Sequence, residues 1–184
     1  MTEDTRLAII DSAINVFNED FSATLEKVAE RAGVTRRTLH RYFKDRKELM
    51  DCCECAVLRA CFTANHAAYH ASDDPMQKLK NMFYAGMDCG IKYTFLHKIH
   101  HLDGHAHHSS KPNCSDFDKA FNLWRDHLLF LQSKGMISTQ LTVEWIQLFF
   151  RGIVSASVQA QDKGTPVQDS RKFAWYSFSK GIGV

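Results

Sequence analysis

The chain has 184 residues and a formal charge of +2, and 45% of it is hydrophobic and 11% aromatic, ample for a core and too apolar for a disordered chain. Three prolines and nine glycines are few for the many turns of a sandwich or barrel. The apolar runs fall far short of the roughly 20 residues a membrane span needs, and the acidic start MTEDTRL does not read as a secretory signal. A soluble, cytoplasmic, all-α protein with reduced thiols and no membrane partner is therefore expected.

The first helix is predicted over Thr2–Asn18, where Leu7, Ile10, Ile14 and Phe17 recur at three and four, with Ile9, Ala13 and Val16 widening the stripe. Glu3 and Asp4 in its opening turn suit the helix dipole. A loop, Asn18-Glu19-Asp20-Phe21-Ser22, leads into TLEKVAERAGVTRRTLHRYFKDRKEL, residues 24–49, around which the chain is organised. Thr24 can cap a short helix with Leu25, Val28, Ala29 and Ala32 on its inner side. Gly33 tolerates positive φ just past its end. Val34 fills the corner, Thr35 caps the next helix, and Leu39 and Phe43 face inward. This is the spacing of a helix-turn-helix.

Charge points to the partner. Between Lys27 and Lys47 eight basic residues face only Glu30 and Asp45, a local excess of +6. A basic cluster around an exposed helix is the footprint expected for the phosphates of double-stranded DNA. Arg36, Arg37, His40 and Arg41 are placed to read bases, where arginine can grip guanine through two hydrogen bonds. Lys27, Thr35, Thr38, Tyr42, Lys44 and Arg46 are expected to hold phosphates.

The same stretch resembles the DNA-binding signature of the TetR family of bacterial one-component regulators. The matching residues are Thr24-Leu25, Val28-Ala29, Ala32-Gly33-Val34-Thr35, Thr38-Leu39, Arg41-Tyr42-Phe43 and the Arg46-x-x-Leu49 that opens the fourth helix. His40 stands where the family usually has tyrosine, and Arg37 where a small residue or proline is common, so no operator sequence carries over. The resemblance implies a homodimer, a ligand pocket inside a helical body, and repression released by a small-molecule effector.

A fourth helix, capped by Asp45, should run to about Ala71, and a fifth from Met76 to about Tyr93, with Pro75 at its first turn. A short sixth helix is predicted over Thr94–Leu102, a seventh from Ser115 or Asp116 to Lys134 ending at Gly135, an eighth over Thr139–Asp162 and a ninth over Val167–Lys180. About nine helices result: a DNA-binding head, residues 1–46, and an effector-binding and dimerisation body, residues 47–184. The eighth and ninth helices carry Trp145, Phe149, Gly152, Ile153, Ala156, Phe173 and Tyr176, the candidate dimer contacts. A two-fold pair can read a palindromic operator whose half-sites lie about 34–36 Å apart. Candidate pocket residues are Phe62, Met82, Phe83, Met87, Phe95, Phe121, Trp124 and Phe150, with plain core packing as the alternative. Their character suits an apolar or aromatic ligand.

Two clusters carry an alternative, a metal- or redox-responsive regulator. His97 and His101 have the i,i+4 spacing at which two imidazoles share a metal, with His105 nearby. Cys52, Cys53, Cys55 and Cys61 crowd the fourth helix but lack a second matched pair, so buried thiols and no structural metal are expected. No Gly-rich phosphate loop or Ser/His/Asp arrangement stands out. Neither enzymatic activity nor a cofactor is expected.

Overall fold

Helices make up every regular element in a computed structural model that describes residues 3–92 and 115–184. They are α1 (Glu3–Glu19), α2 (Leu25–Arg31), α3 (Arg36–Tyr42), α4 (Arg46–His70), α5 (Pro75–Lys92), α6 (Ser115–Ser133), α7 (Val143–Asp162) and α8 (Val167–Gly181). The sixth helix expected from the sequence, and with it His97, His101 and His105, lies outside the described residues. The seventh, eighth and ninth predicted helices are therefore α6, α7 and α8.

The described residues up to Ala60 form one compact unit. Ile9, Ile10, Ala13, Val16 and Phe17 of α1, Val28 and Ala29 of α2, Leu39 of α3, and Leu49, Cys53 and Val57 of α4 are among its buried residues. Leu7, expected to face inward, is 48% exposed, because the buried stripe of α1 centres on Ile9, Ala13 and Phe17. The Cys53 thiol lies against the Ile10 carbonyl at 3.8 Å. Residues of α4 as far as Val57 thus belong to the head's core, which extends beyond Arg46.

The second unit comprises Cys61–Lys92 and Ser115–Val184. Leu79, Phe83 and Met87 of α5, Leu128 and Leu131 of α6, Ile146, Ile153 and Val154 of α7, and Ala174 and Phe178 of α8 share one core. Phe83 is its hub, with ring centroids 4.9 Å from Phe178, 5.2 Å from Trp175 and 5.4 Å from Phe150. Such offset or edge contacts add about 0.5–1.5 kcal/mol each beyond burial. Gly86 and Gly90 let α5 approach α7, since a Cβ at either position would run into Phe150 or Val154.

The connections follow from their side chains. Asp45 and Asp74 accept the backbone N–H groups of Glu48 (2.9 Å) and Gln77 (2.7 Å), capping α4 and α5. Gly135 ends α6 at φ +65. The α7 helix starts at Val143, four residues later than expected. Thr142 caps it by accepting from the Trp145 N–H at 3.2 Å. The preceding turn is held by the Gln132 amide, which donates to the Ser138 and Leu141 carbonyls, and by the Ser138 N–H, which donates to Ile182.

Candidate nucleic-acid interface

The turn between α2 and α3 is built as its residue types require. Thr24 caps α2 by accepting from the Lys27 N–H, and the chain then reverses at Gly33 with φ +65. A β-carbon is disfavoured in that conformation. Val34, half-buried, donates its N–H to the Ala29 carbonyl at 3.0 Å. Thr35 caps α3, accepting from the Thr38 N–H at 3.1 Å, with the two threonine hydroxyls 2.9 Å apart. Leu39 and Phe43 anchor α3 in the core, so Arg36, Arg37, His40 and Arg41 are turned to the exterior.

Ion pairing divides the basic residues into two groups. Lys27 meets Asp20 at 3.8 Å, Arg31 meets Glu19 at 2.9 Å, and Arg36 meets Glu26 at 2.7 Å. Among the described residues Arg37, His40, Lys44 and Lys47 carry no ion pair. Arg41 lies over the Tyr42 ring, 5.5 Å from its centroid. The cationic patch left open to an anion is therefore centred on α3 and the start of α4. The acids that quench the rest, Glu19, Asp20 and Glu26, sit just outside the Lys27–Lys47 window.

Arg46 departs from the expected phosphate role. Its guanidinium donates to the carbonyls of Phe21 and Ala23 and lies 4.6 Å from the Phe17 ring centroid and 5.9 Å from that of Phe21. Burial pulls its pKa below the ordinary arginine value, and the nearby Asp20 opposes that shift. Two carbonyls left by the loop before α2 need donors, and Arg46 supplies them. It ties α4 to the loop instead of facing outward.

In the second unit, Trp145, Phe173 and Tyr176 are 58%, 62% and 68% exposed, with Gly152 and Ala156 open beside them. An open groove of about 440 Å³ runs between α7 and α8, lined by Phe149, Gly152, Ala156 and Phe173 among others. Ile153 differs from the other candidate dimer contacts: it is buried in its own core because its side of α7 faces α5 and α8.

The candidate pocket residues divide as well. Met82, Phe83 and Met87 are fully buried, Phe83 and Met87 within the body's core. Phe62 and Phe150 are partly buried. Trp124, also partly buried, donates its indole N–H to the buried Asn65 side chain at 3.0 Å and lies 5.1 Å from the Phe150 ring. Phe95 and the Phe121 side chain lie outside the described residues. Among the cysteines, burial pushes the Cys53 thiol far above its ordinary value, which opposes thiolate reactivity. Cys52 accepts from Arg6 at 3.2 Å, and burial raises its pKa against the pull of that cation. No group of three metal-ligating side chains occurs among the described residues.

A short, capped helix pair with one helix pinned by Leu39 and Phe43 and its basic side left open is the architecture of a helix-turn-helix. Comparison with known proteins narrows the class. Residues 9–52 match the family model of bacterial regulatory proteins, tetR family. The chain is 37% identical over 71 residues to the HTH-type transcriptional repressor LfrR of Mycolicibacterium smegmatis, a match covering 39% of this chain and 35% of that repressor's length. Its fold is similar to the LfrR crystal structure in complex with proflavine (TM-score 0.74, 22% identity, 99% and 98% of the two chains). It is also similar to the ketosteroid transcriptional regulator KstR2 of Mycobacterium tuberculosis (TM-score 0.71, 18% identity, 100% and 95%). Residues 9–52 are thus similar to the DNA-binding region of tetR-family regulators, and the chain shares the all-helical fold of these solved structures. No helix of the described residues is long and apolar enough to cross a membrane.

Proposed function

We propose that this protein is a homodimeric repressor that leaves a palindromic operator when a small molecule occupies its body. The observation that carries the DNA-reading half is the exposed, unpaired cationic face of α3 and early α4. Arg37, His40 and Arg41 reach base edges in the major groove, and Lys44 and Lys47 hold phosphates. Arg36 reaches the groove together with its partner Glu26. Thr35, Thr38 and Tyr42 lie beside this face, whereas Arg46 acts by fixing the loop under it.

The exposed aromatic residues of α7 and α8 support pairing. Three large rings more than half exposed around a stretch opened by Gly152 and Ala156 form the type of face that a second copy covers. An apolar or aromatic effector suits the body better than a phosphorylated one, because no Arg or Lys is buried among the described residues. The complex of LfrR with proflavine supports a ligand of that class. Residues 1–46 then carry the DNA-binding elements, with α4 as far as Val57 completing their core, and effector binding and dimerisation belong to the rest of 47–184. Ligand and operator oppose each other by one coupling energy, about 1–3 kcal/mol.

Selection of bound duplexes from a random pool tests the reading. A palindromic consensus bound by the wild type and released by an apolar ligand found in a thermal-shift screen is expected. Recovery of no consensus, or a monomer mass by light scattering at micromolar protein, would overturn it. Phe173→Glu with Tyr176→Glu should give monomers that retain their helical circular dichroism.

A further inference from the structure

Among the described residues, Glu26 is the one acidic side chain paired with a candidate base reader. Its carboxylate lies 2.7 Å from the Arg36 guanidinium, and both side chains are more than half exposed. It sits in the first turn of α2, where its own backbone N–H and the Thr24 side chain hold its pKa below the usual carboxylate range, with Arg36 and His40 adding to the effect. The charge is therefore present at neutral pH beside Arg36. The pairing with Arg36 itself adds little to stability, because both ions are exposed and solvated. Beside a surface meant for a polyanion, a carboxylate is a cost to affinity.

We infer that Glu26 is a specificity-setting residue, which holds Arg36 on its carboxylate and so withholds one cation from sequence-independent phosphate binding. This rests on the DNA-binding reading above and adds a discrimination device to it. Non-specific affinity depends on the number of phosphates neutralised, whereas specific affinity depends on how donors meet base edges. An arginine free to swing would bind any backbone phosphate in reach. One tethered through part of its guanidinium keeps its remaining N–H groups in a fixed direction, and it gains from DNA only where a base edge meets them. The neighbouring paired cations, Lys27 and Arg31, are quenched by Asp20 and Glu19 from α1 and the loop after it. Arg36 differs in lying on α3 itself, at its first residue.

The test compares full-length wild type, Glu26→Gln, Arg36→Ala and the double variant. Each is titrated by fluorescence anisotropy with the selected operator and with a scrambled duplex of equal length, across a range of salt. Glu26→Gln should bind the scrambled duplex several-fold more tightly and narrow the ratio of operator to scrambled affinity. Its slope of log affinity against log salt should steepen by about 0.9, the value for one added phosphate contact. Arg36→Ala should abolish that gain in the double variant. An unchanged ratio and slope in Glu26→Gln, with the wild type still selecting its operator, would overturn the inference and leave the DNA-binding reading standing. A gain that persists without Arg36 would also overturn it, since loss of a repelling charge would then suffice. Failure of the wild type to prefer any duplex would instead count against the DNA-binding reading itself.

Discussion

The head and the body each leave one face uncovered, and the two faces are opposite in chemistry. On α3 and early α4 the open face is cationic, built from Arg37, His40, Arg41, Lys44 and Lys47. On α7 and α8 it is aromatic and small, built from Trp145, Phe173 and Tyr176 around Gly152 and Ala156. A charged face in water is content without a partner, because its ions are hydrated. It gains from a polyanion mainly by releasing counterions. An aromatic face exposed to water is costly until covered. The head is thus suited to a reversible, salt-sensitive partner, and the body to a lasting one.

Variants in the two units should separate these roles. The largest effect is expected from Phe83→Ala, which leaves a hole at the body's aromatic hub. It should cost about 3–5 kcal/mol in denaturant unfolding, and an unchanged midpoint would show that Phe83 is not the hub. Next come Arg37→Ala and Arg41→Ala in the head. Each should weaken operator binding by about 1–3 kcal/mol and leave the thermal midpoint in place. A fall in melting temperature with unchanged DNA affinity would move these residues from reading to packing. Thr35→Ala removes the α3 cap and should cost about 1 kcal/mol of stability, with operator binding lowered only in step with that loss.

The smallest effect is a pH dependence in the body. His127 is buried, with its ring 3.0 Å from the Pro75 carbonyl and edge-on to Tyr69. Burial holds its pKa below the usual histidine value. The unfolded chain therefore binds this proton more readily than the folded one, so stability falls as pH drops below the ordinary histidine pKa toward the depressed one. His127→Gln should flatten the unfolding curve between those values. A curve as steep as the wild type's would assign the effect to other groups.

The head was largely legible in the sequence because its signals are local. Thr24, Gly33 and Thr35 act within three residues of themselves, and Leu39 and Phe43 sit one helical turn apart. What escaped was non-local. A count of charge along residues 27–47 cannot show that Glu26, Asp20 and Glu19 fold back onto Arg36, Lys27 and Arg31. Nor does a basic residue in a basic stretch reveal that Arg46 turns inward to two loop carbonyls. In the body, helical spacing located α5 to α8 but could not separate a pocket wall from a core, since both call for aromatics. Met82, Phe83 and Met87 are fully buried, as either role allows. The late start of α7 came from Gln132, an exposed-looking polar residue whose amide fixes the preceding turn.

Hydroxyl-radical footprinting of the full chain on its selected operator reads out whether two α3 helices dock on one duplex. Two protected patches on one face of the duplex, about 34–36 Å apart, both lost in Arg37→Ala with Arg41→Ala, are predicted. A single patch, or protection that survives loss of both arginines, would contradict the claim that paired α3 helices read the DNA.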